Sequence, residues 1–151
     1  MSLNTIVRIH NKGAYQYEEY IAGEAGIYPG MLLEVNTLNK VVKQNTASED
    51  CERIFAMEDA LQGKDVTDVY TSGTRVCCLI GKRGTVVNAL LNSGTNHTIG
   101  TRLMANGDGT LASVATAASG VTAIPIAVIE DEACDLTVSG ATDTLHPVRL
   151  L

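Results

Sequence analysis

The chain has no tryptophan and a single phenylalanine among its 151 residues, so aromatic side chains make up only 4% of it. Its core must therefore consist mostly of valine, leucine, isoleucine and alanine. The apolar fraction of 45% and the charged fraction of 19% are those of a globular protein, and the length fits one ordinary domain. Few aromatic residues remain to stack on a sugar ring, which argues against a glycosidase despite the paired acids at Glu18-Glu19 and Glu58-Asp59.

Cysteine motifs that bind metal are missing as well. The four cysteines include no C-x-x-C pair and show no spacing to the three histidines that would predict a zinc site. Free thiols are the expected state. Cys77 and Cys78 are adjacent, and in a strand they would point to opposite faces, so the two cannot serve one site. The sequence predicts no metal and no other cofactor.

An excess of basic residues is also missing, because 17 acidic against 11 basic residues give a net charge of −6. That balance favours solubility and argues against binding to nucleic acid. No apolar run approaches the ~20 residues that span a membrane, and the N-terminus lacks the residue order of a signal peptide. We therefore expect a protein that is made and used without export and has no membrane partner.

From Tyr15 onward the chain consists of short, β-branched, apolar runs separated by turn residues. This pattern predicts an all-β fold, in a single domain over residues 15–151. Asn106-Gly107-Asp108-Gly109 is the clearest hairpin turn, because both dipeptides tolerate positive φ. The strands predicted after the first are residues 31–35, 40–43, 75–80, 85–91, 101–105, 110–115, 121–129, 135–139 and 148–151.

Two local features of this domain are predicted in more detail. Residues 121–129 form a nearly continuous apolar run, which predicts a buried strand with an edge or a bulge at Pro125. A single helical turn is expected at residues 59–61, closed by Gly63. No helical segment longer than about three turns is predicted.

Residues 1–14 are predicted to form a separate N-terminal arm. The first twelve carry Arg8 and Lys12 but no acid, and they alternate small apolar side chains with polar ones. Twelve extended residues reach roughly 40 Å at ~3.3 Å each, enough to lie on a neighbouring molecule. The alternative is that this segment is the first strand of the domain itself. The side chains predicted to contact a partner are Leu3, Ile6, Val7, Arg8 and Ile9.

No residue pattern predicts a catalytic site. Gly81-Lys82-Arg83-Gly84-Thr85 lacks the spacing of a phosphate-binding loop and is better interpreted as a solvated basic turn. Asn106-Gly107-Asp108-Gly109 lacks the remaining ligands of an EF-hand calcium loop. The three histidines are far apart in sequence, and no triad with a serine and an acid is defined. We therefore expect a protein that is not an enzyme and acts through a surface.

Two sequence motifs stand out in the first half of the chain. The first comprises Ala25, Gly26, Ile27, Pro29, Gly30, Met31, Leu32 and Glu34. The second comprises Phe55, Ala56, Glu58, Asp59, Leu61, Gly63, Lys64, Asp68, Tyr70 and Gly73. In this order the two motifs resemble those of the capsid decoration, or cement, proteins of tailed bacteriophages. The resemblance covers residues 18–91 well and the final third more loosely.

This resemblance implies a compact β-barrel or β-tulip-like domain that assembles as homotrimers on the outside of an icosahedral head. It implies that the N-terminal arm binds the major capsid protein and that the trimer stabilises the expanded shell against the pressure of packaged DNA. The protein would be made in the host bacterial cytoplasm and would end on the capsid exterior of the virion.

Two other functions stay open at this point. The same β domain could trimerise as a tail or fibre adaptor that displays loops to a host surface, although the chain has no long fibrous repeat. It could also be a small enzyme whose site lies between subunits, where sequence spacing cannot reveal it. That function predicts a cleft containing titratable groups of shifted pKa.

Overall fold

The computed structural model describes residue 6 and residues 15–130, 133–137 and 140–151. Within these residues lie two short 3-10 helices, Ala60–Gln62 and Val114–Thr116, and otherwise only strands and loops. The predicted all-β class is therefore confirmed. The strands are β1 (Tyr15–Ala22), β2 (Leu32–Val35), β3 (Lys40–Lys43), β4 (Ile54–Ala56), β5 (Arg75–Gly81), β6 (Val86–Leu91), β7 (Asn96–His97), β8 (Arg102–Ala105), β9 (Leu111–Ser113), β10 (Ala127–Ile129), β11 (Cys134–Asp135) and β12 (Thr144–Leu150).

Two closed barrels of five strands follow each other along the chain. The first has the ring order β1-β3-β2-β4-β5, and the second has the ring order β6-β9-β8-β10-β12. In each barrel the first strand runs parallel to the third, and the other neighbouring pairs are antiparallel. The predicted barrel is confirmed, and the structure shows the same topology twice. Strands β7 and β11 form a separate two-stranded sheet.

One hydrophobic core joins the two barrels. Leu32, Phe55 and Leu79 belong to the first barrel but pack in the same buried cluster as the interior of the second. A smaller cluster around Val41 and Cys78 fills the rest of the first barrel. Because burial of apolar surface is the main stabilising contribution in folding, the shared cluster couples the stability of the two halves.

Backbone hydrogen bonds also cross between the barrels. The Leu32 N–H donates to the Gly109 carbonyl at 2.7 Å, next to the hairpin turn between β8 and β9. The Ser48 N–H donates to the Ala105 carbonyl at 2.9 Å. These bonds satisfy backbone groups that have no partner in the barrel ladders. Loops of one half therefore form part of the wall of the other.

The predicted turns are confirmed in their chemistry. Gly63 closes the first 3-10 helix in the left-handed region, at φ 70°, and its N–H donates to the Ala60 carbonyl at 3.1 Å. In the β8–β9 hairpin, the Asp108 carboxylate accepts the Thr110 N–H at 2.9 Å, and Asn106 donates its N–H to the Thr110 carbonyl at 3.1 Å. No helix within the described residues is long and apolar enough to cross a membrane.

Four predicted strands differ from the structure, and β4 and β7 were not predicted. The segment predicted at 110–115 is a strand only over Leu111–Ser113, because a 3-10 helix follows at Val114–Thr116, and of the segment predicted at 135–139 only Asp135 lies in a strand within the described residues. Only Ala127–Ile129 of the apolar run at 121–129 is a strand, and Val121 and Ile124 are partly exposed, so hydrophobic composition overstated the burial of this segment. The last strand begins at Thr144 instead of residue 148. Pro147 lies opposite Asn88 of β6, whose N–H points away from β12. In such a pair neither backbone N–H takes part in the β6–β12 ladder, so the ladder loses no hydrogen bond at the proline.

Candidate functional site

Of the predicted arm residues, the structure describes Ile6. Its side chain is fully buried, its N–H donates to a Glu58 carboxylate oxygen at 3.0 Å, and its carbonyl accepts the Asn88 N–H at 2.9 Å. Ile6 is therefore anchored on the body of its own chain, and its side chain is not accessible to a partner in this position. The other predicted contacts lie outside the described residues: Leu3, Val7, Arg8 and Ile9.

The first sequence motif forms the junction between the barrels. Gly30 follows Pro29 in the predicted turn and has φ +90°, a conformation that residues with a side chain rarely adopt. Its N–H donates to the Ala56 carbonyl of β4 at 2.8 Å, and its own carbonyl accepts the Leu90 N–H of β6 at 2.8 Å. One residue thus bonds to a strand of each barrel.

The two motifs contact each other in the folded chain. The Tyr70 N–H donates to the Ile27 carbonyl at 2.8 Å, and the Gly26 N–H donates to the Tyr70 carbonyl at 3.2 Å. The Tyr70 hydroxyl donates to the Met57 carbonyl at 2.6 Å. Residues that lie more than 40 positions apart therefore form one structural unit, which sequence spacing alone did not reveal.

A buried thiol lies beside this unit. Cys77 is almost fully buried and lies near the hydroxyls of Tyr17 and Tyr70. A hydrogen bond with the Cys77 thiol is the main cause that raises the pKa of Tyr17, whereas burial is the main cause for Tyr70. Burial also raises the pKa of Cys78 to about 12 and that of Cys51 to about 11. These shifts keep the four groups protonated at neutral pH, the opposite of what an activated nucleophile requires.

Two surface depressions adjoin the junction. A polar one is lined by side chains that include Asp59, Lys64, Asp68, Tyr70 and Arg75. A more apolar groove crosses the boundary between the barrels and is lined by Tyr28, Pro29, Met31, Val66, Leu90 and Leu145, among others. Among the described residues, no group of three or more His, Cys, Asp or Glu side chains is arranged to bind a metal ion.

His97 in β7 is a buried titratable group in the second half. It is fully buried, its Nε2 lies 3.4 Å from the Asn92 carbonyl oxygen, and its Nδ1 has no hydrogen-bond partner within the described structure. Burial lowers the pKa of His97 from its ordinary value of 6.5, because the charged ring would lose its hydration. Protonation would also add an N–H donor at Nδ1, for which the described residues supply no acceptor.

We expect the free energy of unfolding to fall as the pH drops below about 6.5. The unfolded chain binds a proton on His97 at the ordinary pKa, whereas the folded chain does so only at lower pH, so acid favours unfolding. One such group contributes a slope of at most about 1.4 kcal/mol per pH unit. Urea unfolding at several pH values between about 7.5 and 5 measures this slope.

The variant His97→Phe is the control, because it keeps a ring of similar size and cannot titrate. Its slope should be smaller than that of the wild type, whatever its absolute stability. The pKa values of Asp108 and Asp135 lie below 3.8, so these carboxylates titrate outside this pH range. Equal slopes in the wild type and the variant would show that His97 does not cause the acid sensitivity.

Comparison of the sequence with models of known protein families and with curated proteins found no match. The functional assignment therefore depends on the two motifs and on the geometry of the junction that they form.

Proposed function

We propose that this chain is a structural decoration protein of a tailed bacteriophage. It binds the outer surface of the expanded head as a homotrimer, contacts the major capsid protein and stabilises the shell against internal DNA pressure. One observation carries the proposal. The two motifs that resemble those of cement proteins contact each other through the Ile27–Tyr70 bridge, and Gly30 of the first motif connects the two barrels. The resemblance thus falls on residues that build this fold together.

The mechanism is one of binding thermodynamics. A trimer seated where three capsid subunits meet engages all of them, so its second and third contacts are effectively intramolecular and the avidity exceeds the affinity of one site. A protein that binds only the expanded shell stabilises that shell by mass action. The net charge of −6 disfavours binding to DNA and is suited to a protein made in the bacterial cytoplasm and placed on the capsid exterior.

The N-terminal arm supplies the capsid contact in this proposal. Its described residue, Ile6, is bonded to Glu58 and Asn88 of the body, which gives the arm a fixed point of attachment. Leu3, Val7, Arg8 and Ile9 are the proposed contacts on either side of that point. The attachment also affects the experiment, because deleting the whole arm would remove a core residue together with the contacts.

We expect the purified protein to co-sediment saturably with expanded, undecorated heads of the phage that encodes it, and not with unexpanded proheads. A variant that lacks residues 1–5 and carries Arg8→Ala keeps Ile6 and should bind expanded heads at least ~10-fold more weakly, since one decade in affinity corresponds to about 1.4 kcal/mol. Thermal unfolding checks that this variant is folded. The matched control is Arg83→Ala, which changes an exposed arginine outside the arm and outside both motifs.

The outcomes separate the function from the residues assigned to it. Undiminished binding by the truncated variant would contradict the arm assignment but leave the decoration function standing. Failure of the wild type to bind either particle would contradict the decoration function itself.

A further inference from the structure

The hairpin turn between β8 and β9 contains Asn106, the one asparagine in the chain that is followed by a glycine. The side-chain carbonyl carbon of an asparagine, Cγ, can be attacked by the backbone nitrogen of the next residue, because the product is a five-membered imide ring. A following glycine favours this reaction, since it has no side chain beside its nitrogen and a permissive backbone. Asparagine is therefore one of the thermolabile residues of proteins.

The backbone nitrogen that would attack has no competing role in the fold. The Gly107 N–H has no hydrogen-bond acceptor among the described residues. The corresponding group after Asn39 is occupied, because the Lys40 N–H donates to Asn36 Oδ1 at 3.1 Å. Asn39 is exposed and also lies in a hairpin turn, so it provides a comparison within the same chain.

The carboxamide that would be attacked is folded forward over the turn. Asn106 Nδ2 donates to Asp108 Oδ2 and to Thr110 Oγ1, each at 3.1 Å. Both acceptors lie beyond Gly107 in the chain, so the side chain is held over the residue whose nitrogen attacks it. Such preorientation of two reacting groups lowers the entropic part of a barrier.

The fold itself requires the glycine that makes this site reactive. Gly107 has φ +88°, a conformation that residues with a side chain rarely adopt. A Cβ at this position would lie 3.2 Å from the Ala47 nitrogen and 3.3 Å from the Asn45 carbonyl oxygen, in a loop of the first barrel. A larger residue, which would protect the asparagine, therefore does not fit here.

We propose that Asn106 is a site of spontaneous covalent modification, and that its conversion to aspartate and isoaspartate weakens the junction between the barrels. The Gly107 nitrogen gives its proton to solvent and bonds to Asn106 Cγ, and the Cγ–Nδ2 bond breaks as the side-chain nitrogen takes up a proton and leaves as ammonia. One water molecule then opens the imide. Cleavage at Cγ gives aspartate, and cleavage at the main-chain carbonyl gives isoaspartate.

Either product disturbs the turn locally. Each replaces the Nδ2 donor by a carboxylate, so the hydrogen bonds to Asp108 and Thr110 are lost and two negative charges lie close together. Isoaspartate also adds one methylene group to the main chain between residues 106 and 107. This shifts the register of the bond between the Asn106 N–H and the Thr110 carbonyl, now 3.1 Å long.

The disturbance reaches the first barrel through Gly109 in the same turn. Its N–H donates to the Gln44 carbonyl at 3.2 Å, and its carbonyl accepts the Leu32 N–H at 2.7 Å. Conversion of Asn106 should therefore lower the stability of the whole chain. This modification goes beyond the proposed function and does not depend on it.

Peptide mapping by mass spectrometry tests the reaction on the full-length protein, incubated at neutral and at mildly alkaline pH. Position 106 should convert before Asn39, and faster at the higher pH, because the nitrogen attacks after it has lost its proton. Both aspartate and isoaspartate should form. Conversion no faster than at Asn39, or conversion to aspartate alone, which is the product of direct hydrolysis, would overturn the proposal.

Urea unfolding of the same samples tests the effect on the junction. Converted wild-type protein should unfold at a lower urea concentration than fresh protein. Asn106→Gln is the control, since the longer side chain does not form the five-membered ring, and its unfolding midpoint should be the same before and after incubation. An unchanged midpoint in converted wild-type protein would overturn the proposed weakening. If Asn106→Gln does not fold, Asn106→Asp, which carries one product from the start, should unfold at the lower urea concentration without any incubation.

Discussion

Replacing Gly30 by alanine should destabilise the protein by about 2–6 kcal/mol, measured as the change in the free energy of urea unfolding. Gly30 has φ +90°, which costs a residue with a Cβ about 1–3 kcal/mol. The added Cβ would also lie 2.2 Å from Leu145 Cδ2 and 3.2 Å from the Asn88 carbonyl oxygen. The leucine side chain can move, but the carbonyl belongs to β6, so overpacking adds about 1–3 kcal/mol.

Gly94→Ala is the control for the conformational part of this cost. Gly94 has φ +91°, and a Cβ there would meet nothing within 4 Å. It should therefore show the cost of the positive φ alone. If the two variants lose equal stability, the contact across the barrel junction at Gly30 is not important for the fold.

Phe55→Ala should lower the free energy of unfolding by about 3–5 kcal/mol, the usual cost of truncating a fully buried phenylalanine. Phe55 is the one phenylalanine in the chain, is completely buried in β4 and packs in the cluster shared with the second barrel. The cavity should therefore weaken both barrels. Hydrogen exchange measured by mass spectrometry should show equal losses of protection in β5 and β12.

Leu61→Ala is the matched control, because Leu61 is 93% exposed and its truncation should change stability by no more than about 0.5 kcal/mol. A loss of protection in Phe55→Ala that is confined to the first barrel would show that the two halves unfold independently, despite the shared cluster.

The fold class followed from local patterns, because most of the strands carry their own signal of apolar composition bounded by turn residues; the short strands β4 and β7 were not predicted. β3 has the predicted bounds, Lys40–Lys43, and Gly63 ends its helical turn as expected. The pairing of the strands was not predictable in this way. β1 contacts β3 and β5, which lie far along the chain, and the repetition of the barrel is a repetition of backbone topology without a matching sequence repeat.

The candidate site was predicted less completely. The acid-free character of the arm is visible in the sequence, but the burial of Ile6 depends on Glu58, 52 positions away, and on Asn88 in the other barrel. The bridge between Ile27 and Tyr70 depends on loops whose paths no periodicity specifies.

The sequential order of the two barrels has a consequence for folding kinetics. Among the described residues, the most widely separated partners within a ladder are residues 15 and 81 in the first barrel and residues 86 and 149 in the second, so none of these ladders closes a loop as long as the whole chain. Each half can therefore begin to form strand pairs on its own, at a lower entropic cost than pairing across the full chain. Because Phe55 and its neighbours need the second half to complete their cluster, docking of the halves should be a late step in folding.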